Sequence, residues 1–267
     1  MISSRSLAAL VAASILSAGA WSRAIAEPST PVPSAQDVVA RMLDADPWGT
    51  SGAIVTAHAS LKDKRGGGSE LAFTARSRRH DGPLSKSIVR FTAPADLAGA
   101  GFLQIQNREQ DDDRFLFLPE LKRSRRISGN LRGNSFMGTD FSFADLDRRD
   151  FRDSKAASKA DEDIGKFPCF HIDVVSTRSD SPYAHIEVWV RKDNYLPLKM
   201  EMFDRAQVKI KTFTAQEVKR VSGHWYITRS HMVDHTQSHT TDLTIDSITP
   251  TSDVADDEFS VRNLEKL

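Results

Sequence analysis

The chain of 267 residues is 39% hydrophobic and 27% charged, and its 36 Lys and Arg balance 36 Asp and Glu. A formal charge of zero excludes the basic footprint a nucleic-acid binder needs, and the length allows one sizeable core. Cys169 is the one cysteine, which excludes an internal disulfide and reads as a buried, inert thiol at the start of a strand-like run.

Residues 1–26 have the three parts of a secretory signal peptide. Arg5 precedes the apolar stretch Leu7–Ala20, and Ala24-Ile25-Ala26 offers a small-x-small cleavage site before Glu27. The apolar stretch is shorter and more Ala-rich than a spanning helix, which needs about 20 residues. No Cys at the cleavage point indicates a lipid anchor. Cleavage removes Arg5 and Arg23 and no acid, so the exported form is near-neutral. Residues 27–33, EPSTPVP, read as a Pro-rich tail, and residues 34–267 as a single domain with no internal repeat.

Ser34 opens the one clear amphipathic helix, with Asp37 three residues on as a variant of the capping box. Ala35, Val38, Val39, Met42 and Leu43 share a face, and Pro47 and Gly49 end the helix. From Ala53 the apolar period becomes two. The expected strands are 54–63, 70–79, 86–92 and 102–107, then, beyond residue 146, 150–159, 170–176, 184–191, 198–203, 208–214, 216–221, 225–233 and 239–248. Spacings of 8–12 residues with hairpin turns predict one antiparallel meander, not alternating strands and helices. Asp111-Asp112-Asp113 lacks the order of a calcium loop and reads as a solvated turn.

The central stretch is the most distinctive. Phe115-Leu116-Phe117-Leu118 is apolar without alternation, as in a strand covered on both faces. Lys122, Arg123, Arg125 and Arg126 follow; if extended, Arg123 and Arg125 share one face. Then comes a loop punctuated by Gly129, Gly133 and Gly138 and carrying Phe136, Met137, Phe141, Phe143 and Leu146, with Asp140 and Asp145 among them. A loop with so many large apolar groups must fold back on the sheet or cover something, and an apolar cavity is the favoured reading.

Catalysis finds no support. There is no Gly-x-Ser-x-Gly elbow, Ser135 sits in Asn-Ser-Phe, and no phosphate loop or dinucleotide fingerprint appears. His231, His235 and His239 lie in a β-like segment, where residues four apart stand about 13 Å from each other, too far to share a metal. A hairpin could still bring His231 opposite His239. No cofactor or metal is expected.

The pattern Leu118-Pro119-x-Leu121-x-Arg123-x-Arg125-Arg126-Ile127, followed by Ser135-Phe136-x-Gly138-Thr139-Asp140-Phe141-Ser142-x-x-Asp145-Leu146, resembles the periplasmic LolA-like outer-membrane lipoprotein-sorting proteins. Val188-Trp189-Val190 through Asn194-Tyr195-Leu196-Pro197-Leu198-Lys199 to Asp204 is similar to a hairpin of that group. So is Arg90-Phe91-Thr92-x-Pro94 leading to Gly99-x-Gly101-Phe102-Leu103. The resemblance implies an open, mainly β half-barrel of about eleven strands, with the N-terminal helix and a lid loop on its concave side. It implies a monomeric, non-enzymatic periplasmic carrier of lipid or lipoprotein acyl chains, served by an inner-membrane transporter of RND/MMPL type. Candidate acyl contacts are Phe91, Phe102, Phe115, Phe117, Phe136, Met137, Phe141, Phe143, Leu146, Trp189, Met200 and Met202. Three readings of the basic run stay open. Its inward cations pin the lid through Asp140 and Asp145, or they meet anionic lipid headgroups at the rim, or they dock an acidic patch on a partner. In the first reading Arg123 and Arg125 with the two aspartates act as a release switch.

Overall fold

Helix α1 (Ala35–Asp44) begins with a complete capping box: Ser34 Oγ accepts from the Asp37 N–H at 3.1 Å, and the Asp37 carboxylate accepts from the Ser34 N–H at 3.2 Å. The computed structural model describes residues 32–45, 52–82, 84–146 and 149–266, and Pro33–Leu267 forms one compact unit. The expected signal peptide, most of the Pro-rich tail, and the helix stop at Pro47 and Gly49 lie outside the described residues.

Fourteen strands follow: β1 (Gly52–Lys62), β2 (Gly68–Asp81), β3 (Leu84–Ala93), β4 (Gly101–Ile105), β5 (Asp113–Leu118), β6 (Arg123–Arg126), β7 (Ser154–Ser158), β8 (Glu162–Ile164), β9 (Phe167–Ser176), β10 (His185–Arg191), β11 (Pro197–Phe203), β12 (Lys209–Val221), β13 (His224–Asp234) and β14 (His239–Pro250). Short helices α2 (Arg149–Arg152) and α3 (Val261–Leu264) stand before β7 and at the C-terminus. The strands form one antiparallel sheet in the order β6-β5-β4-β3-β2-β1-β14-β13-β12-β11-β10-β9-β7, with β8 paired to β9. Fourteen strands among the described residues exceed the eleven or so that the resemblance implies, and the short, polar β8 shows no period in the sequence. The segments expected as 208–214 and 216–221 merge instead into one strand, β12, bulged around Glu217.

Among the described residues the sheet is not closed: β6 ends one side and β7 the other. These two strands are joined in sequence by residues 127–153, so that segment must bridge the open seam. Alternation sets the two faces. On the inner face, Ala59, Leu61 and Leu71 meet Phe91, Phe102, Leu116, Phe136 and Phe143. Helix α1 covers the far end of that face, packing Val38, Val39 and Met42 on Ile172, Val174, Val188 and Val190. On the outer face, the C-terminal segment sets Val254, Phe259 and Leu264 against Ile88, Leu103 and Phe117. Strand β5 is thus covered on both sides, which explains its unbroken apolar run.

Leu103 is fully buried in this outer cluster. Leu103→Ala is expected to lower unfolding free energy by about 2–5 kcal/mol through lost burial and a residual void, read as a fall in urea midpoint at unchanged slope.

Candidate functional site

The inner face encloses a cavity of about 380 Å³, within the roughly 300–1,000 Å³ of small-molecule sites. One wall is Ala57, Ala59, Leu71, Phe73, Ala75, Val89, Phe91 and Phe102 from β1–β4. The other is Ile186, Met200, Met202, Phe213, Ile227, Met232, Leu243 and Ile245 from β10–β14. Met42 and Leu43 of α1 and Phe136, Phe141, Ala144 and Leu146 of the bridging segment complete it. Because strands from both halves of the sheet face one space, the sheet wraps around it.

The bridging segment is built to lie on this face. Phe136-Met137-Gly138-Thr139 is a tight turn with φ of 53° at Met137 and 82° at Gly138, closed by the Thr139 N–H on the Phe136 carbonyl at 3.0 Å. Gly138 suits that left-handed position; Met137 occupies it at some cost. The Phe136 N–H then donates to the Phe141 carbonyl at 2.7 Å, making a miniature hairpin. Its rings join a cluster in which Phe136 lies 5.8 Å from Phe91, 5.2 Å from Phe102 and 5.6 Å from Phe143.

Phe91, Phe102, Phe136, Phe141, Leu146, Met200 and Met202 line the cavity. Phe143 and Met137 stand behind them in the aromatic cluster. Phe115, Phe117 and Trp189 do not face the cavity, and these three expectations are corrected. Strand alternation turns Leu116 inward, so Phe115 and Phe117 pack under the C-terminal segment. Trp189 points outward to Cys169 and Leu198, stacks on His171 at 4.2 Å and donates from Nε1 to Glu162 at 2.6 Å. The contributions of α1, β1 and β13 were missed as lining, although the two-residue period of β1 and the helical face of α1 marked which of their side chains turn inward.

The expected latch is also corrected. Arg123, Arg125 and Arg126 lie exposed on the terminal strand β6, and Arg126 pairs with Asp113 at 2.5 Å. Asp140 and Asp145, on the bridging segment, bond instead to Tyr183 and to residues of β12 and β14. Lys211 donates to Asp145 at 3.1 Å and the Tyr183 hydroxyl donates to it at 2.7 Å. Thr241 Oγ donates to Asp140 at 2.6 Å, and His239 Nδ1 stands 2.8 Å from the same carboxylate. Burial pushes the Tyr183 phenol up, and the Asp145 charge adds to it, so Tyr183 stays a donor.

A second set of ions ties the seam. Arg132, 1% exposed, pairs with Asp150 at 3.1 Å and Asp180 at 3.0 Å. Arg178 joins Asp180 at 2.9 Å to Asp111 at 2.9 Å, and Asp112 is buried against Arg114 at 3.3 Å. The acidic run 111–113 is therefore not a solvated turn. Burial pushes the Asp180 carboxyl up, but hydrogen bonds from Arg178 and the charges of Arg132 and Arg178 outweigh it and hold it below the ordinary carboxylate range.

The three late histidines separate: His231 pairs with Asp242 at 2.7 Å, His235 with Thr212 at 2.8 Å, and His239 with Asp140. Elsewhere Asp173, His185 and Glu187 offer ligand atoms within 4.8 Å of one another on the outer face. Glu187 there already engages Lys159 and His171. Burial pushes the Cys169 thiol up, away from nucleophilic character.

This open antiparallel sheet is shared with proteins of solved structure. A lipoprotein-sorting protein domain from Vibrio parahaemolyticus superposes with a TM-score of 0.81 at 26% identity, over 87% of this chain and 98% of that one. A DUF1329 family protein from Desulfovibrio piger gives 0.81 at 24% identity, over 86% and 97%. A LolA superfamily protein from Nitrosomonas europaea gives 0.69 at 18%, over 86% and 98%, and shares the fold. No curated protein matches the sequence. A family model described as an uncharacterized protein matches residues 84–266, and the chain belongs to that family. No helix among the described residues is long and apolar enough to cross a membrane.

A depressed carboxyl stabilises the fold above its unfolded value, near 3.9, and that contribution disappears as pH falls through the folded value. Asp180→Asn is therefore expected to be less stable than the parent at pH 7 and to lose less stability between pH 5 and pH 2. Urea midpoints measured across that range check both signs.

Proposed function

We propose that the protein is a periplasmic carrier that shields acyl chains of a lipid or lipoprotein during transfer between membranes. The observation that carries this reading is the apolar cavity of about 380 Å³ held between the two halves of one sheet. An acyl chain loses about 0.8 kcal/mol for each CH₂ exposed to water, so it needs such an enclosure to cross an aqueous space. Phe91, Phe102, Phe136, Phe141, Leu146, Met200 and Met202 would contact the chain, and the adaptable methionines suit cargo of varying shape. The segment 127–146 acts as the lid, and its latch is on the β12–β14 side, through Asp145 with Lys211 and Asp140 with His239.

Nothing in the chain reads as a motor, so cargo arrives from a membrane transporter; family resemblance favours the RND/MMPL type at the inner membrane. The exposed cations Arg123, Arg125 and Arg126 on the terminal strand suit docking to that partner or to anionic headgroups. The carrier works as a monomer, in one domain over residues 34–267, after loss of the signal peptide.

Lipid extraction and native mass spectrometry of the exported protein are expected to find bound acyl lipid. Leu243→Trp, which fills the hollow from β14, is expected to reduce binding of an apolar dye at least tenfold with the fold retained by circular dichroism. A parent protein that carries no lipid and binds no dye would instead mark a filled interaction module. In stopped-flow release, Asp145→Asn is expected to free bound dye several-fold faster, while Arg123→Ala and Arg125→Ala leave the rate unchanged.

A further inference from the structure

One row of the cavity wall is polar. Ser77 on β2 is the register partner of Ser87 on β3, and Ser87 of Gln104 on β4, and all three line the cavity. Ser77 is 2% exposed and Gln104 6%, yet Ser77 Oγ and Gln104 Nε2 have no hydrogen-bond partner. The rows on either side differ. On one side Ser85 donates from N–H and Oγ to Gln106 Oε1, at 2.9 and 3.1 Å, so that pair satisfies itself. On the other side Ala75, Val89 and Phe102 make an apolar row.

An unpaired buried donor is rare and costly, and these two belong to side chains that line one hollow, where an acceptor would relieve both. A pure hydrocarbon in the hollow leaves both donors stranded. The charge of the lining narrows the choice. Its ionisable members among the described residues are Asp145, Asp150 and Tyr183, with no Lys, Arg or His. Asp145 is held by Lys211, and Asp150 by Arg132. A carboxylate or phosphate would enter without a cation of its own and would meet two carboxylates.

Resting on the carrier reading, we infer that the cavity selects an amphiphile whose polar end is an uncharged acceptor, an ester or amide carbonyl. That carbonyl sits on the Ser77–Ser87–Gln104 row and the chain runs past Phe102 into the hollow. Strands stand about 4.8 Å apart, so the row spans roughly 10 Å and can receive more than one carbonyl. Gln104 supplies an N–H donor and Ser77 an O–H donor, neither of which a hydrocarbon can use.

The test is displacement of an apolar naphthalene dye from the full exported chain by dodecane, methyl dodecanoate and dodecanoate. The ester is expected to bind roughly tenfold more tightly than the alkane or the anion. Gln104→Leu and Ser77→Ala should each reduce that preference at least threefold while leaving alkane affinity unchanged or improved, which also reports an intact cavity. Equal binding of alkane and ester, or an ester preference that survives both substitutions, overturns this inference and leaves the carrier intact. Failure of all three ligands to displace the dye overturns the carrier reading and this inference with it.

Discussion

The open seam between β6 and β7 governs the rest of the molecule. A sheet this wide with an apolar inner face must be closed, stacked or covered, and here its terminal strands are left unpaired. The chain between those two strands is therefore the natural cover, and the ions Arg132, Asp150, Asp180, Arg178 and Asp111 hold it at the gap. Buried ion pairs add little net stability against an apolar alternative, but breaking one strands a charge and is severe. Their contribution is to fix where the segment lies. The apolar surface beneath supplies the stabilisation.

That surface is filled unevenly. On the β3–β4 side the rings of Phe91, Phe102, Phe136 and Phe143 pack against one another. On the β11–β13 side the inward residues are Met200, Met202, Phe213, Ile227 and Met232, and only Phe141, 6.5 Å from Phe213, and Phe151 pack on that cluster from the bridging segment. The hollow persists there because the segment carries its aromatic bulk on one flank. Helix α1 reaches the hollow only with Met42 and Leu43, since Val38 and Val39 are packed on β9 and β10.

The sequence carried the local half of this picture. The capping box at Ser34, the period of two, the doubly covered strand at Phe115–Leu118 and the inward fold of the Phe-rich loop all follow from neighbours in the chain. Partners distant in sequence did not. Nothing local told that Asp145 would find Lys211, 66 positions on, rather than the nearer arginines. Nor could the run of Phe115 to Leu118 say which two side chains turn inward, because a strand apolar on both faces has lost the alternation that marks its register. Trp189 was misplaced for the same reason, lying between Val188 and Val190 in another unbroken apolar run. Arg132 looked like one cation among many in a Gly-rich loop, and its burial depends on Asp150 and Asp180, which belong to α2 and the β9–β10 turn.

The two margins of the bridging segment are held by different kinds of force, and that difference decides how the cavity relates to solvent. Parting the β3–β4 margin exposes several phenylalanines, each worth about 1.5–3 kcal/mol of lost burial, with nothing in water to compensate. Parting the β12–β14 margin separates Asp145 from Lys211 and Tyr183, and Asp140 from Thr241 and His239. Each of those groups regains hydration as it separates, so the net loss per hydrogen bond is nearer 0.5–1.5 kcal/mol, or about 1.5–3 where a charge takes part. A segment anchored by rings on one edge and by solvable ions on the other therefore parts at lower cost along the ionic edge, where Asp145 also lines the hollow.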